Sequence, residues 1–261
     1  MVKKNLLGTP LTFLFVLLFS VASIASDSGV YSFRAHRSFS SGKFAKGYKQ
    51  LEKALLASRK ESDLLSEGRI LIDMAQIRTM SLDFALADTL LSAVRPQSLD
   101  ATTLTQFARA KAALAIAQKD YRAATRHCES VQPDSLKEAD KPSQAAYYAD
   151  CAIAYTGIGQ TAIAFEHLKQ VVKRTDKKGG YYTFTAARVA ELSKQNTADS
   201  LYRAAEAKAI QGNIPYMTAT ILYHRSELDA TPAAEKADLK LRCKNAFELM
   251  GLPNNSKRCA E

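Results

Sequence analysis

DYRAATRHCESV (residues 120–131) and, after a polar stretch, SQAAYYADCAIAYTGIGQTAIAFEHLKQV (143–171) decide how this chain is read. The first segment has the apolar spacing of one helix. The second is a complete hairpin of two helices, broken at Gly157 and Gly159. Two of the four cysteines, Cys128 and Cys151, lie within this stretch.

Working outward, the same grammar recurs. Phe44, Gly47, Leu51 and Ala54 fall on one helix face at spacings of three and four. Before the next unit, DLLSEGRILIDMAQIRTM reads as a helix with Ser62 as its N-cap, and Ser81 to Asp83 as a tight turn. LDFALADTLLSAV follows and stops at Arg95-Pro96, because proline cannot continue the hydrogen-bond ladder. Asp100 caps ATTLTQFARAKAALAIAQ. Residues 133–142 read as a polar linker and KRTDKKGG (173–180) as a second, basic break. Helices are expected at 143–157, 160–174, 181–194, 198–211 and 214–228. A last one is expected from Thr231 as N-cap and Pro232 at the first helical position to about Met250. Residues 27–41 are Ser-rich and weakly patterned, either a flexible lead-in or a partial first helix. The tail NNSKRCAE is polar, with Cys259 available to tie it back and Asn254-Asn255-Ser256 matching a glycosylation acceptor. No alternating strand pattern stands out.

Four second helices align on a common rule. An aromatic or hydroxyl residue is followed three later by a small one, four later by a larger one, and three later by another apolar one. The sets are Phe44/Gly47/Leu51/Ala54, Phe84/Ala87/Leu91/Val94, Tyr121/Ala124/Cys128/Val131 and Thr161/Ala164/Leu168/Val171, starting 40, 37 and 40 residues apart. In the preceding first helices, Leu71/Met74/Ala75/Arg78 lines up with Ala108/Lys111/Ala112/Ala115 and with Tyr148/Cys151/Ala152/Tyr155. On these residues the chain resembles the tetratricopeptide repeat (TPR) family, well over residues 42–174 and poorly over 181–250. It departs in having longer spacing than that family's 34 residues, no Trp, and Arg78 and Lys111 at usually apolar positions. The resemblance implies an all-α fold, a right-handed superhelical stack of antiparallel helical hairpins (a TPR-like α-solenoid). Residues 42–180 would be the repeats and 181–261 degenerate repeats with a capping helix. It also implies a concave groove lined by first helices, placing Arg69, Ile72, Gln76, Gln106, Arg109, Ala113, Ala149 and Ile153 on the binding wall. Two arginines there would suit a peptide carboxylate.

The N-terminus belongs to another class. Lys3 and Lys4 precede an apolar run from Leu11 to Val21, then small residues at Ser23 and Ala25. That is the three-part pattern of a secretory signal peptide covering residues 1–25, with cleavage before Ser26. An uncleaved anchor is the competing reading, but the run is short of the ~20 residues a span needs. The expected destination is a bacterial periplasm or the cell exterior, with no membrane span in the mature chain. Four cysteines in that setting are expected to form disulfides. Three pairings are possible, and proximity in sequence favours Cys128–Cys151 and Cys243–Cys259. Each loop of that size contributes on the order of 3 kcal/mol in the chain-entropy model.

The chain carries a formal charge of +10, or +8 without Lys3 and Lys4, which suits an anionic envelope component as partner. The densest basic cluster is Lys169, Lys173, Arg174, Lys177 and Lys178, whose simpler reading is a helix C-terminus complementing its dipole. His127, Cys128, Cys151 and His167 have zinc-ligand chemistry but not zinc spacing, since His127 and Cys128 point about 100° apart on a helix. No G-x-S-x-G, phosphate-binding Gly loop or H-E-x-x-H occurs. The expectation is a non-enzymatic scaffold that binds a protein or peptide, without cofactor, metal or nucleic acid. The alternative is a carbohydrate- or envelope-polymer-binding accessory protein using Tyr147, Tyr148, Tyr181, Tyr182 and Tyr216 as aromatic platforms.

Overall fold

A computed structural model describes residues 26–175 and 179–261. The expected signal peptide and Lys177 and Lys178 lie outside the described residues. Among these the chain is all-helical, with fourteen α-helices and no strand. They are α1 (Asp27–Ser40), α2 (Phe44–Lys60), α3 (Leu64–Met80), α4 (Phe84–Ser92), α5 (Ala101–Ala117), α6 (Tyr121–Glu129) and α7 (Pro133–Glu138). The remainder are α8 (Lys141–Gly157), α9 (Thr161–Val172), α10 (Gly180–Leu192), α11 (Ala198–Gln211), α12 (Pro215–Glu227), α13 (Ala233–Leu249) and α14 (Pro253–Ala260). No described helix is long and apolar enough to cross a membrane.

The helices pack as neighbouring pairs: α1/α2, α3/α4, α5/α6, α8/α9, α10/α11 and α12/α13. First helices also touch along the array, α3 on α5, α5 on α8 and α8 on α10. The small positions read from the sequence all lie in the helix packing. Ala75, Ala87, Ala112, Ala124, Ala152 and Ala164 are all buried, as is Gly47, and Ala35 supplies the equivalent position in α1. A β-carbon at Gly47 would lie 2.4 Å from the Phe39 ring, so glycine there is a packing requirement. The two cations at usually apolar positions are accommodated by rings. The Arg78 guanidinium lies 3.8 Å from the Tyr48 centroid and Lys111 Nζ 4.3 Å from that of Phe107. In α11, Ala198, Tyr202, Ala205 and Ala209 are buried at spacings of four, three and four, one face of the helix.

One turn builds most of the connections. Gly42, Ser62, Leu82, Lys119, Gly159, Lys194, Asn213 and Gly251 all have positive φ. In each case the next residue's N–H bonds to the carbonyl five residues before it, as in Asp83 to Arg78 and Asp120 to Ala115. This is the left-handed helix ending that satisfies otherwise orphaned carbonyls.

Several local expectations need correction. Ser62 is the left-handed residue of the turn, and Asp63 caps α3 by accepting from Ser66 N–H at 3.0 Å. Residues 27–40 form a full helix. Its weak pattern reflects buried serines, with the Ser38 hydroxyl donating to the Arg34 carbonyl. The 133–142 linker contains α7, begun by Pro133. Pro232 is the N-cap of α13, while the Thr231 hydroxyl donates to the Arg225 carbonyl. The polar tail forms α14.

Both disulfides pair as proximity suggested. Cys128–Cys151 joins α6 to α8, that is, one helical pair to the next, and Cys243–Cys259 fastens α14 to α13. That second clip matters because the array closes on itself. Phe39, Phe44, Ile70, Met74 and Ile77 share one apolar core with Leu222, Leu239, Phe247, Met250 and Leu252. The Phe44 and Tyr216 rings are 5.5 Å apart. The Tyr216 hydroxyl and Asn255 Nδ2 both donate to the Met80 carbonyl at 2.9 Å.

Lys119 is exposed and holds φ at 62°, whereas Gly159 occupies the same turn at φ 80° with open space where a β-carbon would go. A left-handed β-carbon costs about 1–2 kcal/mol. Lys119→Gly is therefore expected to stabilise the protein by about 1 kcal/mol in urea unfolding, and Gly159→Ala to destabilise it by a similar amount.

Candidate functional site

The first helices present a common wall, and polar side chains bridge it from one helix to the next. His36 on α1 meets Asp73 on α3 at 3.0 Å. Arg69 on α3 donates through Nε to the Thr103 hydroxyl of α5 at 3.0 Å and pairs with Asp100, the N-cap of α5. Gln106 on α5 donates to the Ser143 hydroxyl of α8 at 3.3 Å, and Arg109 Nε to Asp150 Oδ2 at 3.0 Å. Further along, Arg188 of α10 bonds His224 Nδ1 of α12 at 2.8 Å. Each rung spans roughly one repeat, because equivalent positions on stacked first helices face each other.

Local electrostatics follow from these partners. Burial alone would raise the Asp100 carboxyl, but bonds from Thr103 and the Arg69 charge hold it below its usual range. Burial pushes the Asp150 carboxyl up against the pull of Arg109. Tyr181 of α10 sits close enough to feel both groups, and burial raises its phenol.

The structure sorts the expected groove residues. Arg69, Gln106 and Arg109 are brought together on the wall but are committed to cross-helix bonds rather than open. Ile72, Ala149 and Ile153 are buried in helix packing. Gln76 and Ala113 are half-buried. Sequence reasoning missed the acidic partners, Asp73 and Asp150, and the C-terminal rungs. The available signal was the repeat register: Asp73 and Asp150 occupy equivalent positions, two before the small residues Ala75 and Ala152.

A second polar group stands on α10–α12. Glu191 pairs with Arg188, accepts from the Tyr202 hydroxyl, and lies 3.3 Å from His224 Nδ1. Burial opposes ionisation of Glu191, but His224 and Arg188 lower it to about 2. Burial, reinforced by Arg188, brings His224 down to about 4. Beside it the almost fully buried Arg225 serves Asp199, Glu206 and Glu235 at 3.0, 2.7 and 2.7 Å, tying α11 to α13.

The tyrosines considered as sugar platforms are engaged in packing. Tyr147 donates to the Cys128 carbonyl at 2.6 Å, Tyr216 to the Met80 carbonyl, and Tyr148 packs between Tyr147, His167 and Arg174; none of the five is exposed. Cys128 and Cys151 are bonded to each other, and His167 stacks on Tyr155 with ring centroids 5.2 Å apart. In the basic cluster, Lys169 pairs with Glu166, while Arg174 lies over the Tyr148 ring. Comparison with known proteins returns no matching family model and no similar curated protein.

His224 makes a sharp pH prediction. Its folded pKa of about 4 lies below the unfolded value near 6.5, so the unfolded chain binds the proton first. The stabilisation is complete above pH 6.5 and is lost as pH falls toward 4. Wild-type protein is expected to lose about 2 kcal/mol more between pH 7 and pH 5 than His224→Gln, measured by urea unfolding at both pH values.

Proposed function

We propose that this chain is an exported, non-enzymatic scaffold: a right-handed, TPR-like stack of helical hairpins whose first-helix wall binds a segment of a protein partner. The observation that carries this reading is the ladder of cross-helix ion pairs. Asp73, Arg109 and Asp150 each keep between 14% and 20% of their side-chain surface accessible, so these groups reach the surface of the wall while bonded across it. Such pairs are preorganised by the helices beneath them and can exchange partners with the carboxylates and ammonium groups of a peptide.

Export is supported by two disulfides, which persist in oxidising compartments, and by the signal-like composition of residues 1–25. Periplasmic envelope assembly or secretion is the setting this reading favours.

The test is capture from envelope extracts on immobilised residues 26–261, beside a panel of envelope polysaccharides. Ala113→Glu and Gln76→Lys alter the half-buried wall without removing an ion pair. A protein captured by wild type and reduced at least tenfold by either substitution, with an unchanged thermal melt, is the expected outcome. Retention of a polysaccharide with no co-purifying protein, or capture indifferent to both substitutions, would contradict it.

A further inference from the structure

The α1–α2 hairpin carries most of the protein's charge imbalance. Residues 27–61 hold eight cations (Arg34, Arg37, Lys43, Lys46, Lys49, Lys53, Arg59, Lys60) against three carboxylates, Asp27, Glu52 and Glu61. That is +5 of the +8 found beyond the first 26 residues. The excess is also ordered in space. Lys46, Lys49, Lys53, Leu56 and Lys60 follow one another at intervals of three and four, which places them within about 80° around α2. All five are exposed. Their opposite face, with Phe44, Gly47, Leu51 and Ala54, is buried, so the stripe points outward. Tyr31 of α1 joins the two helices at this surface. Arg34 and the Lys53 ammonium both lie 6.0 Å from its ring, which puts Arg34 of α1 beside the α2 stripe.

Two features separate this stripe from an ordinary solvated helix face. Among the described residues, no carboxylate lies within ion-pair distance of Lys46, Lys49, Lys53 or Lys60, whereas Arg59 beside them pairs with Glu67 and is removed from the balance. In addition, Leu56 stands in line with the lysines and is 71% exposed. An acidic polymer or peptide in water gains little from an isolated leucine among cations. The headgroup region of a bilayer accepts both, with ammonium groups at phosphate level and the aliphatic side chain below.

We propose that this face of the α1–α2 hairpin docks on an anionic bilayer surface, Lys46, Lys49, Lys53 and Lys60 meeting lipid phosphates and Leu56 entering the interface. The first-helix wall stays available for its partner, so the protein would present its scaffold from the membrane surface. The docking face lies outside the proposed binding wall and stands or falls independently of it.

The test is co-sedimentation of residues 26–261, which contain every described helix, with phosphatidylcholine vesicles containing 30% phosphatidylglycerol. Controls are pure phosphatidylcholine vesicles and soluble heparin. Binding is expected only to the anionic vesicles, weakening as salt is raised. The triple substitution Lys49→Gln, Lys53→Gln, Lys60→Gln is expected to weaken it about 100-fold at low salt, about fivefold per charge. Leu56→Ser is expected to weaken vesicle binding about fivefold or more and leave heparin binding unchanged. All four positions are exposed, and a thermal melt checks that each variant is folded. Equal affinity for neutral vesicles, no vesicle binding, or binding insensitive to both variants would overturn the proposal. So would heparin binding that outcompetes vesicles without regard to Leu56. If the triple variant still captures the wall's protein partner, docking and scaffolding are shown to be separate surfaces.

Discussion

The packing of α12–α14 onto α1–α3 is the contact on which the whole arrangement rests. A stack of helical pairs buries each pair's flanks against its neighbours, which leaves an uncovered flank at either end. In this protein the two terminal flanks cover each other. Phe39, Phe44, Ile70, Met74 and Ile77 from one end, and Leu222, Leu239, Phe247, Met250 and Leu252 from the other, form a single core. At roughly 1.5–3 kcal/mol for each large apolar side chain fully removed from water, this shared core stabilises both ends together. Directionality comes from the Met80 carbonyl, at the C-terminal end of α3 where helix carbonyls lack intrahelical donors. Tyr216 of α12 and Asn255 of α14 supply two donors to it.

Closure explains where the covalent and ionic reinforcement sits. Cys243–Cys259 pins α14, the helix that delivers Asn254 and Asn255 to the Ser81 and Met80 carbonyls. Arg225 gathers one carboxylate from α13 and two from α11, fixing the orientation of the helices that must meet α1–α3. Removing one member of such a buried group strands the others, so its effect exceeds that of the exposed pairs on α7 or α9. Cys128–Cys151 acts midway around the circuit, at the larger core position that Leu51, Leu91 and Leu168 occupy in the other second helices.

Helix identity and register were legible because they are local. Small residues at 47, 87, 124 and 164, and at 75, 112 and 152, recur at intervals of 37 or 40, and every one is buried. Both disulfide partners were legible because their loops are short. Helix α1 was half-hidden because serine hydroxyls bonded to helix carbonyls take places where apolar residues would show a period. Helix α7 was hidden by polarity, having no buried residue of its own. Helix α13 buries a narrow stripe, Leu239, Cys243 and Phe247, within a charged sequence. Closure left no periodic trace, since Met80 and Asn255 are 175 residues apart. Of the expected wall positions, Arg69, Gln106 and Arg109 bridge neighbouring first helices, while Ile72, Ala149 and Ile153 are buried in helix packing. Arg69 and Arg109 looked like free cations because their partners, Asp100 and Asp150, belong to the next helix along.

The closed circuit can be tested most directly by nuclear Overhauser spectroscopy on protein with selectively protonated Phe and Tyr. The Phe44 and Tyr216 rings lie 5.5 Å apart across the joint, while Phe39 with Phe44 (5.6 Å) and Tyr216 with Phe247 (5.7 Å) are controls within each end. A closed array gives all three cross-peaks. Both controls without the Phe44–Tyr216 peak would show an open stack and contradict the account.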